Sequence, residues 1–234
     1  MKLVGALGLL LVIVSGCNRT YDPTPDYIST IFPLDEGKYR IYTVIDTLWE
    51  TTSSSDFEVQ QYYKQEVNGG IETDLLDRET TTLWINRSPD SLGNAYDWTF
   101  DQLWTQYAGD EYSERIEGNI RYLVMRNPAF EDASWNGNLF NDEDQQTYRI
   151  TSIDTTVEVQ GVTYENCVFV RQQEFYQPVS DSLGPIFISE EAYEIYAPGI
   201  GKIRKYFKYY TAQSGDPDAE SRILREDLVT HNYD

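Results

Sequence analysis

The alternating residues restrict this chain most. Lys38 to Trp49, KYRIYTVIDTLW, puts Tyr39, Ile41 and Ile45 on one side of an extended backbone and Tyr42, Val44 and Leu48 on the other. Phe57 to Val67, FEVQQYYKQEV, sets Phe57, Val59, Tyr63 and Val67 against Glu58, Gln60, Lys64 and Glu66. Period two sends successive side chains to opposite faces and marks strands. The first segment is apolar on both faces, which predicts a strand covered on both sides. Asn68-Gly69-Gly70 follows the second and predicts a tight hairpin, because these residues take positive φ at low cost. Further strands are expected near Thr80–Arg87, Ala95–Phe100, Asn119–Met125, Thr147–Ile153, Val157–Gln160, Val162–Tyr176, Gly201–Thr211 and Arg222–Val229. Gly118-Asn119 and Gln160-Gly161 are turn signals between neighbours. Asp101–Ala108 and Ser189–Tyr196 suit a short helix or a strand.

Many strands on short turns must hide their faces against one another. The expected class is therefore all-β: a single antiparallel sheet, curled or closed into an open barrel of about ten strands, with little helix. A β-sandwich is the alternative. Asp-Ser-Leu-Gly occurs at Asp90–Gly93 and Asp181–Gly184, with the Asp and Gly that a type I turn prefers. These read as two hairpin loops rather than a repeat. Nothing after Thr30 reads as a linker, so residues 31–234 are expected to form one β-rich domain.

The N-terminus carries a different signal. One charge, Lys2, precedes a twelve-residue apolar run from Leu3 to Val14, too short to cross a bilayer and of signal-peptide length. The run closes on Val14-Ser15-Gly16-Cys17, which resembles the lipobox of bacterial lipoprotein precursors. That resemblance implies removal of residues 1–16 and lipidation of Cys17. Several acyl chains, at ~0.8 kcal/mol per buried methylene, would hold the protein stably on a membrane. Residues 17–30, rich in Pro, Asp and Thr, read as a tether. At ~3.1 Å per residue it reaches about 40 Å.

Charge and cysteine content narrow the partners. With 39 Asp and Glu against 18 Lys and Arg, the net charge is −21. A nucleic-acid backbone would be repelled, and an anionic lipid surface disfavoured, leaving the lipid at Cys17 as the membrane contact. Cys17 and Cys167 are the two cysteines. With Cys17 acylated no disulfide framework exists, and Cys167, in Cys-Val-Phe-Val, reads as a small buried hydrophobe. No cofactor motif is present.

Catalytic patterns are also missing. The one histidine, His231, lies four residues from the C-terminus, which removes Ser-His-Asp, Cys-His and HExxH machinery. Carboxylate pairs are available in any chain this acidic and select nothing. The expectation is a protein that is not an enzyme. SWNGNLFNDED, Ser134 to Asp144, offers Asn136, Asn138, Asn141 and Asp142 as calcium oxygens, but Gly137 falls where no EF-hand places it. A positive-φ turn over a packed Trp135, with Asp142–Asp144 facing solvent, is the favoured reading, and no metal site is assigned. Gly201–Tyr210 holds Lys202, Arg204, Lys205 and Lys208; an anionic-ligand or membrane-facing patch is one reading, and the favoured one is cross-strand partners for acids and protection for a sheet edge.

Several landmarks together resemble an uncharacterised family of Bacteroidota outer-membrane lipoproteins. They are Phe32-Pro33-Leu34 with Gly37, Tyr39, Tyr42 and Val44; Asn127-Pro128; Trp135-Asn136-Gly137-Asn138 with Phe140-Asn141; and Tyr196-Ala197-Pro198-Gly199-Ile200-Gly201. The resemblance implies a β-rich body in the cell envelope, anchored to the outer membrane on its periplasmic or surface side, and brings no catalytic residue. The expected function is a membrane-anchored, non-catalytic lipoprotein binding a small apolar or amphiphilic ligand, at residues the sequence leaves unassigned. The alternatives are a structural or assembly lipoprotein acting through protein contacts, and a carbohydrate-binding module. Tyr and Trp, numbering 19 and 5, suit a ligand pocket or an ordinary β core.

Overall fold

The computed structural model describes residues 30–49, 57–89, 96–181, 184–213, 216–217 and 221–233. The expected signal peptide, Cys17, nearly all of the tether, and Asp90–Gly93 lie outside them. The regular elements are strands: β1 Tyr39–Trp49, β2 Phe57–Thr73, β3 Glu79–Pro89, β4 Thr99–Ala108, β5 Tyr112–Glu117, β6 Ile120–Arg126 and β7 Ser134–Asn136. They continue with β8 Thr147–Val159, β9 Val162–Asp181, β10 Gly184–Ala197, β11 Gly201–Gln213, β12 Asp216–Pro217 and β13 Arg222–His231. All join one antiparallel sheet in the order β6-β5-β4-β3-β2-β1-β13-β11-β10-β9-β8-β7, with β12 added to β11. The expected curled sheet is what forms, with more strands than the ten anticipated. Both candidate helices, Asp101–Ala108 and Ser189–Tyr196, are strand.

The two ends of that order meet. Leu123 N–H of β6 donates to the Gly137 carbonyl at 2.9 Å, the Trp135 indole N–H donates to the Leu123 carbonyl at 2.9 Å, and Asn141 Nδ2 donates to the Arg121 carbonyl at 2.8 Å. These bonds occupy backbone groups that an open edge would leave exposed, so the sheet is nearly closed into a barrel. The positive φ expected at Asn136-Gly137 is not adopted; Gly137 is required there because a Cβ would fall 2.4 Å from the Tyr148 ring. The opening motif of the acidic loop is thus a latch.

One end of the barrel is capped by the chain entering it. Ile31 and Phe32 are buried in a cluster with Leu123, Trp135, Ile150 and Tyr196. Gly199 N–H donates to the Thr30 carbonyl at 2.6 Å, and Asn68 Nδ2 donates to the Pro33 carbonyl at 3.1 Å and the Tyr233 hydroxyl at 3.0 Å. Gly201, at φ +93°, leaves room for Arg40 Nη1, which a Cβ would approach to 2.7 Å.

The β8–β9 hairpin builds a second cluster. Gln160 and Gly161 turn it at φ 52° and 78°, as their sequence predicts. Its register breaks three times between Ile150 and Val157, and the hairpin reaches back so that Gln160 Nε2 donates to Thr43 Oγ1 at 3.3 Å. Val159, Tyr164 and Cys167 pack there with Ile195, Ile203 and Leu228. Burial pushes the Cys167 thiol up to about 11, leaving it protonated at neutral pH, in keeping with a packing role.

Three local expectations need correction. Asn68-Gly69-Gly70 is no hairpin: β2 runs through it with a register shift between Asn68 and Ile71. The Asn68 amide is consumed by the cap, and a Cβ on Gly69 would strike Thr82 Oγ1 at 2.3 Å. The turn comes at residues 74–78, where Asp74 Oδ1 accepts from the N–H of Leu76 at 2.8 Å and of Arg78 at 3.0 Å. β11 lies between β13 and β10, so its lysines protect no edge. In β2 the expected faces are inverted: Lys64 and Glu66 are buried, whereas Phe57 and Val59 are more than half exposed.

Candidate functional site

That inversion places charge inside the barrel. Direct cross-strand opposition puts Arg40 beside Glu66 and Tyr42 beside Lys64 between β1 and β2. It puts Lys205 beside Glu226 between β11 and β13, and beside Glu194 between β11 and β10. Lys202 Nζ bonds Glu66 at 2.8 Å and Glu226 at 3.1 Å, Lys64 Nζ bonds Glu226 at 2.5 Å, and the Tyr42 hydroxyl donates to the Lys202 carbonyl at 2.9 Å. From β5, Arg115 bonds Glu117 at 2.6 Å and reaches across to Glu194 at 3.0 Å, and Tyr196 donates to the same Glu194.

Burial alone would raise these carboxyls; the neighbouring cations outweigh it. Arg115, with Lys205 and Lys202, holds Glu194 down to about 2. Lys202 and Lys64 do the same for Glu226, also to about 2, and keep Glu66 well below the carboxylate range. Burial lowers Lys64, assisted by Lys202 beside it. The ion pairs form two neighbouring clusters: Arg40, Lys64 and Lys202 with Glu66 and Glu226, and Arg115 and Lys205 with Glu117 and Glu194. At the rim Asp46 and Arg222 add a neutral bidentate pair at 2.9 and 2.7 Å.

Beside this network lies a partly open cavity of ≈ 200 Å³. Arg115, Glu117, Lys205, Gln146, Gln172, and Tyr122 and Tyr148 give it polar groups; Val124, Ala192 and Phe207 give it apolar wall. Lys205 is four positions along β11 from the capped end, ~13 Å at ~3.3 Å per residue. Gln172 reaches the cavity from a β9 bulge opposite Ala192 and Tyr193. Gln172 and Tyr148 are 7% and 5% exposed, yet among the described residues neither the Gln172 amide nor the Tyr148 hydroxyl has a hydrogen-bonding partner. Among the described residues the side-chain atoms that are fully buried without a partner lie elsewhere, at Arg40 Nε, Ser113 Oγ and Arg171 Nε.

The residues singled out from sequence fare differently. Trp135 packs edge-on to Tyr148 at 6.1 Å, behind the latch and not in an open site. Asn136 Oδ1 accepts from the N–H of Asn138 and Gln146, each at 3.1 Å, Asn141 Oδ1 accepts from Glu143 N–H at 2.9 Å, and Asn138 Oδ1 accepts from Asn141 Nδ2 at 3.2 Å, so three of the four candidate calcium ligands are engaged in the turn. Among the described residues no group of three His, Cys, Asp or Glu is placed to hold a metal. Of the basic strand, Lys202 and Lys205 point into the network, and Arg204 bonds Asp227 at 2.5 Å. The interior charges were missed although a signal existed: Arg40 and Asp46 share the phase of Tyr42 and Val44. Outside, Trp84 opposes Leu103 and stands edge-on to Phe100 at 5.7 Å, all three at least 45% exposed. Tyr96 and Trp98 stack on each other at 4.8 Å and do not form a side-by-side sugar platform.

No protein-family model and no curated protein matches the chain. Two solved structures align with it. One is a protein from Bacteroides fragilis named as exported, with a YmcC-like fold, at 11% identity over 86% of this chain and 99% of that one, TM-score 0.42. The other is named as a lipoprotein, from Parabacteroides distasonis, at 12% identity over 86% and 98%, TM-score 0.39. Likenesses this distant transfer no residue role.

Proposed function

We propose that this chain is a lipid-anchored, non-catalytic protein of the bacterial cell envelope, held at the outer membrane through Cys17, whose barrel binds one small amphiphilic ligand. The cavity carries the reading: its wall sets the Gln172 amide and the Tyr148 hydroxyl, which make no hydrogen bond to the described residues, beside the apolar Val124, Ala192 and Phe207. Of the two ligand types expected from sequence, the wall favours an amphiphile over a purely apolar molecule, which would strand Lys205, Glu117 and the Gln172 amide. At ≈ 200 Å³ the space is below the ~300–1,000 Å³ of pockets that enclose drug-sized ligands. A long acyl chain does not fit.

Native mass spectrometry of the full chain purified from its own cells in detergent tests this. One small co-purifying molecule is expected, absent from Ala192→Phe, whose ring occupies the cavity. A wild-type protein carrying nothing, and taking up nothing from a small-metabolite extract, would falsify the reading. Cys17→Ser is expected to leave an uncleaved precursor that incorporates no palmitate; normal maturation would remove the anchor. A second reading, a structural role through protein contacts, draws support from the exposed Trp84, Phe100 and Leu103. It predicts that Trp84→Glu impairs function in cells while leaving ligand uptake intact.

A further inference from the structure

The end of the barrel that the chain enters also carries a bare apolar tip. β1 begins at that end, and antiparallel pairing puts the turns after β2, β4 and β10 there too. Thr30 is tied to the β10–β11 turn through the Gly199 N–H. Leu34 shares a surface depression with Ile71, Arg78 and Tyr107, which sets the incoming chain beside the β2–β3 turn. That turn is braced from within. Asp74 accepts from the backbone N–H of Leu76 and Arg78, and its other oxygen accepts from Arg78 Nη2 at 2.7 Å. Arg78 also donates to Glu114 at 2.8 Å and lies over the Tyr107 ring at 4.2 Å. The polar groups are thus spent on the barrel side, while Leu75 is fully exposed and Leu76 and Ile71 are 59% and 66% exposed. Single exposed apolar residues are ordinary; three within six positions, on a turn held rigid, form a surface.

We propose that the Leu75-Leu76 turn dips into the bilayer that holds the lipid at Cys17, so that the barrel stands with its entered end on the membrane and its Asp46–Arg222 rim toward the aqueous phase. The inference rests on the lipid-anchor reading above and adds the orientation of the body. Phe57 and Val59 are exposed at the other end, and the tether decides between the two. β1, of eleven residues, is ~36 Å long at ~3.3 Å per residue. Contact through the far end would stretch most of a tether that reaches ~40 Å; contact through the entered end requires none of that reach. Two leucines are a weak hold for a free protein of net charge −21. The tether makes their docking intramolecular, at an effective concentration on the order of millimolar. Glu72, Asp77 and Glu79 flank the tip and are exposed, which limits its depth to the headgroup region and favours zwitterionic over anionic lipid.

Fluorescence of the acylated chain, isolated from its own cells and placed in phosphatidylcholine vesicles, tests the proposal. With Cys17 acylated and Cys167 buried, one introduced thiol takes an environment-sensitive NBD label. A label at Leu75→Cys is expected to shift to the blue and lose at least half its emission to doxyl groups placed just below the headgroups. A label at Glu58→Cys, near the start of β2 at the other end, is expected to stay in water, unquenched. Leu75→Asp with Leu76→Asp should abolish quenching of a label at Glu72→Cys, while the protein still floats with the vesicles and keeps its melting temperature. The same chain made without its signal, and so unacylated, should not float. Floatation with an unquenched label at Leu75→Cys, or equal quenching at Glu58→Cys, would overturn the orientation and leave the anchor standing. Quenching that survives the two aspartates would overturn the role of the leucines. Floatation of the unacylated chain would overturn the dependence on the tether. A chain from cells that carries no acyl group and does not float would remove the anchor reading, and this inference with it.

Discussion

Two walls of this barrel solve the same problem by opposite means. Around the seam, β6 to β9 fill the interior with Leu123, Trp135, Ile150 and Val170, and one indole N–H helps close the sheet. Across from it, β1, β2, β11 and β13 fill the interior with Arg40, Lys64, Glu66, Lys202 and Glu226. Both walls are strands of period two, and both bury the inward phase. The contrast shows that alternation specifies which residues share a face, and not which face is inside. In a narrow barrel, opposed charges on neighbouring strands can compensate one another, so a polar phase can point inward.

Replacing the seam tryptophan should expose the largest difference. Trp135→Ala removes a buried ring and the bond to the Leu123 carbonyl, and should cost about 4 kcal/mol or more. The loss should be the same at pH 7 and pH 3, measured by denaturant unfolding. Equal stability to wild type would mean that the latch is ornamental.

Lys202→Met attacks the other wall. It leaves Glu66 and Glu226 short of a partner and should cost about 3 kcal/mol at pH 7. Here the loss should shrink with acid. Carboxyls held below their unfolded value of ~4.3 stabilise the fold above that pH, and the contribution fades as pH falls toward the folded value, about 2 for Glu226. Between roughly pH 4.5 and 2 the wild type should lose stability and the gap to Lys202→Met should narrow. A gap constant with pH would show that the charges are not what holds this wall.

The smallest effect concerns the acidic loop on the seam side. Millimolar calcium should leave the melting temperature unchanged, because Asn136 and Asn141 already spend their side-chain oxygens on backbone N–H groups. A rise of several degrees, lost in Asp142→Asn, would make the latch a metal site.

What the sequence showed follows from the range of each interaction. The strands, the turn at Gln160-Gly161 and the turn at Trp135–Asn138 depend on neighbours within a few residues, and their patterns were visible. The function of the Trp135 motif was not, since its partner carbonyl belongs to Leu123 on a different strand. Asn68-Gly69-Gly70 misled because its Asn answers to Pro33 and Tyr233, contacts that no local propensity encodes. The cavity was illegible for the same reason: Gln172, Tyr148 and Lys205 come from three strands, and Gln172 arrives through a bulge.

The pairing of β1 with β13 has a consequence in time. It joins Arg40 to His231, nearly the full length of the described chain, and contacts so distant in sequence form slowly because the chain must close a long loop before gaining them. A chain made from its N-terminus carries Lys64 and Lys202 before it carries Glu226. Until the ten-residue strand β13, Arg222–His231, is made, those two lysines have only Glu66 between them. β13 therefore brings the second carboxylate that the two lysines share.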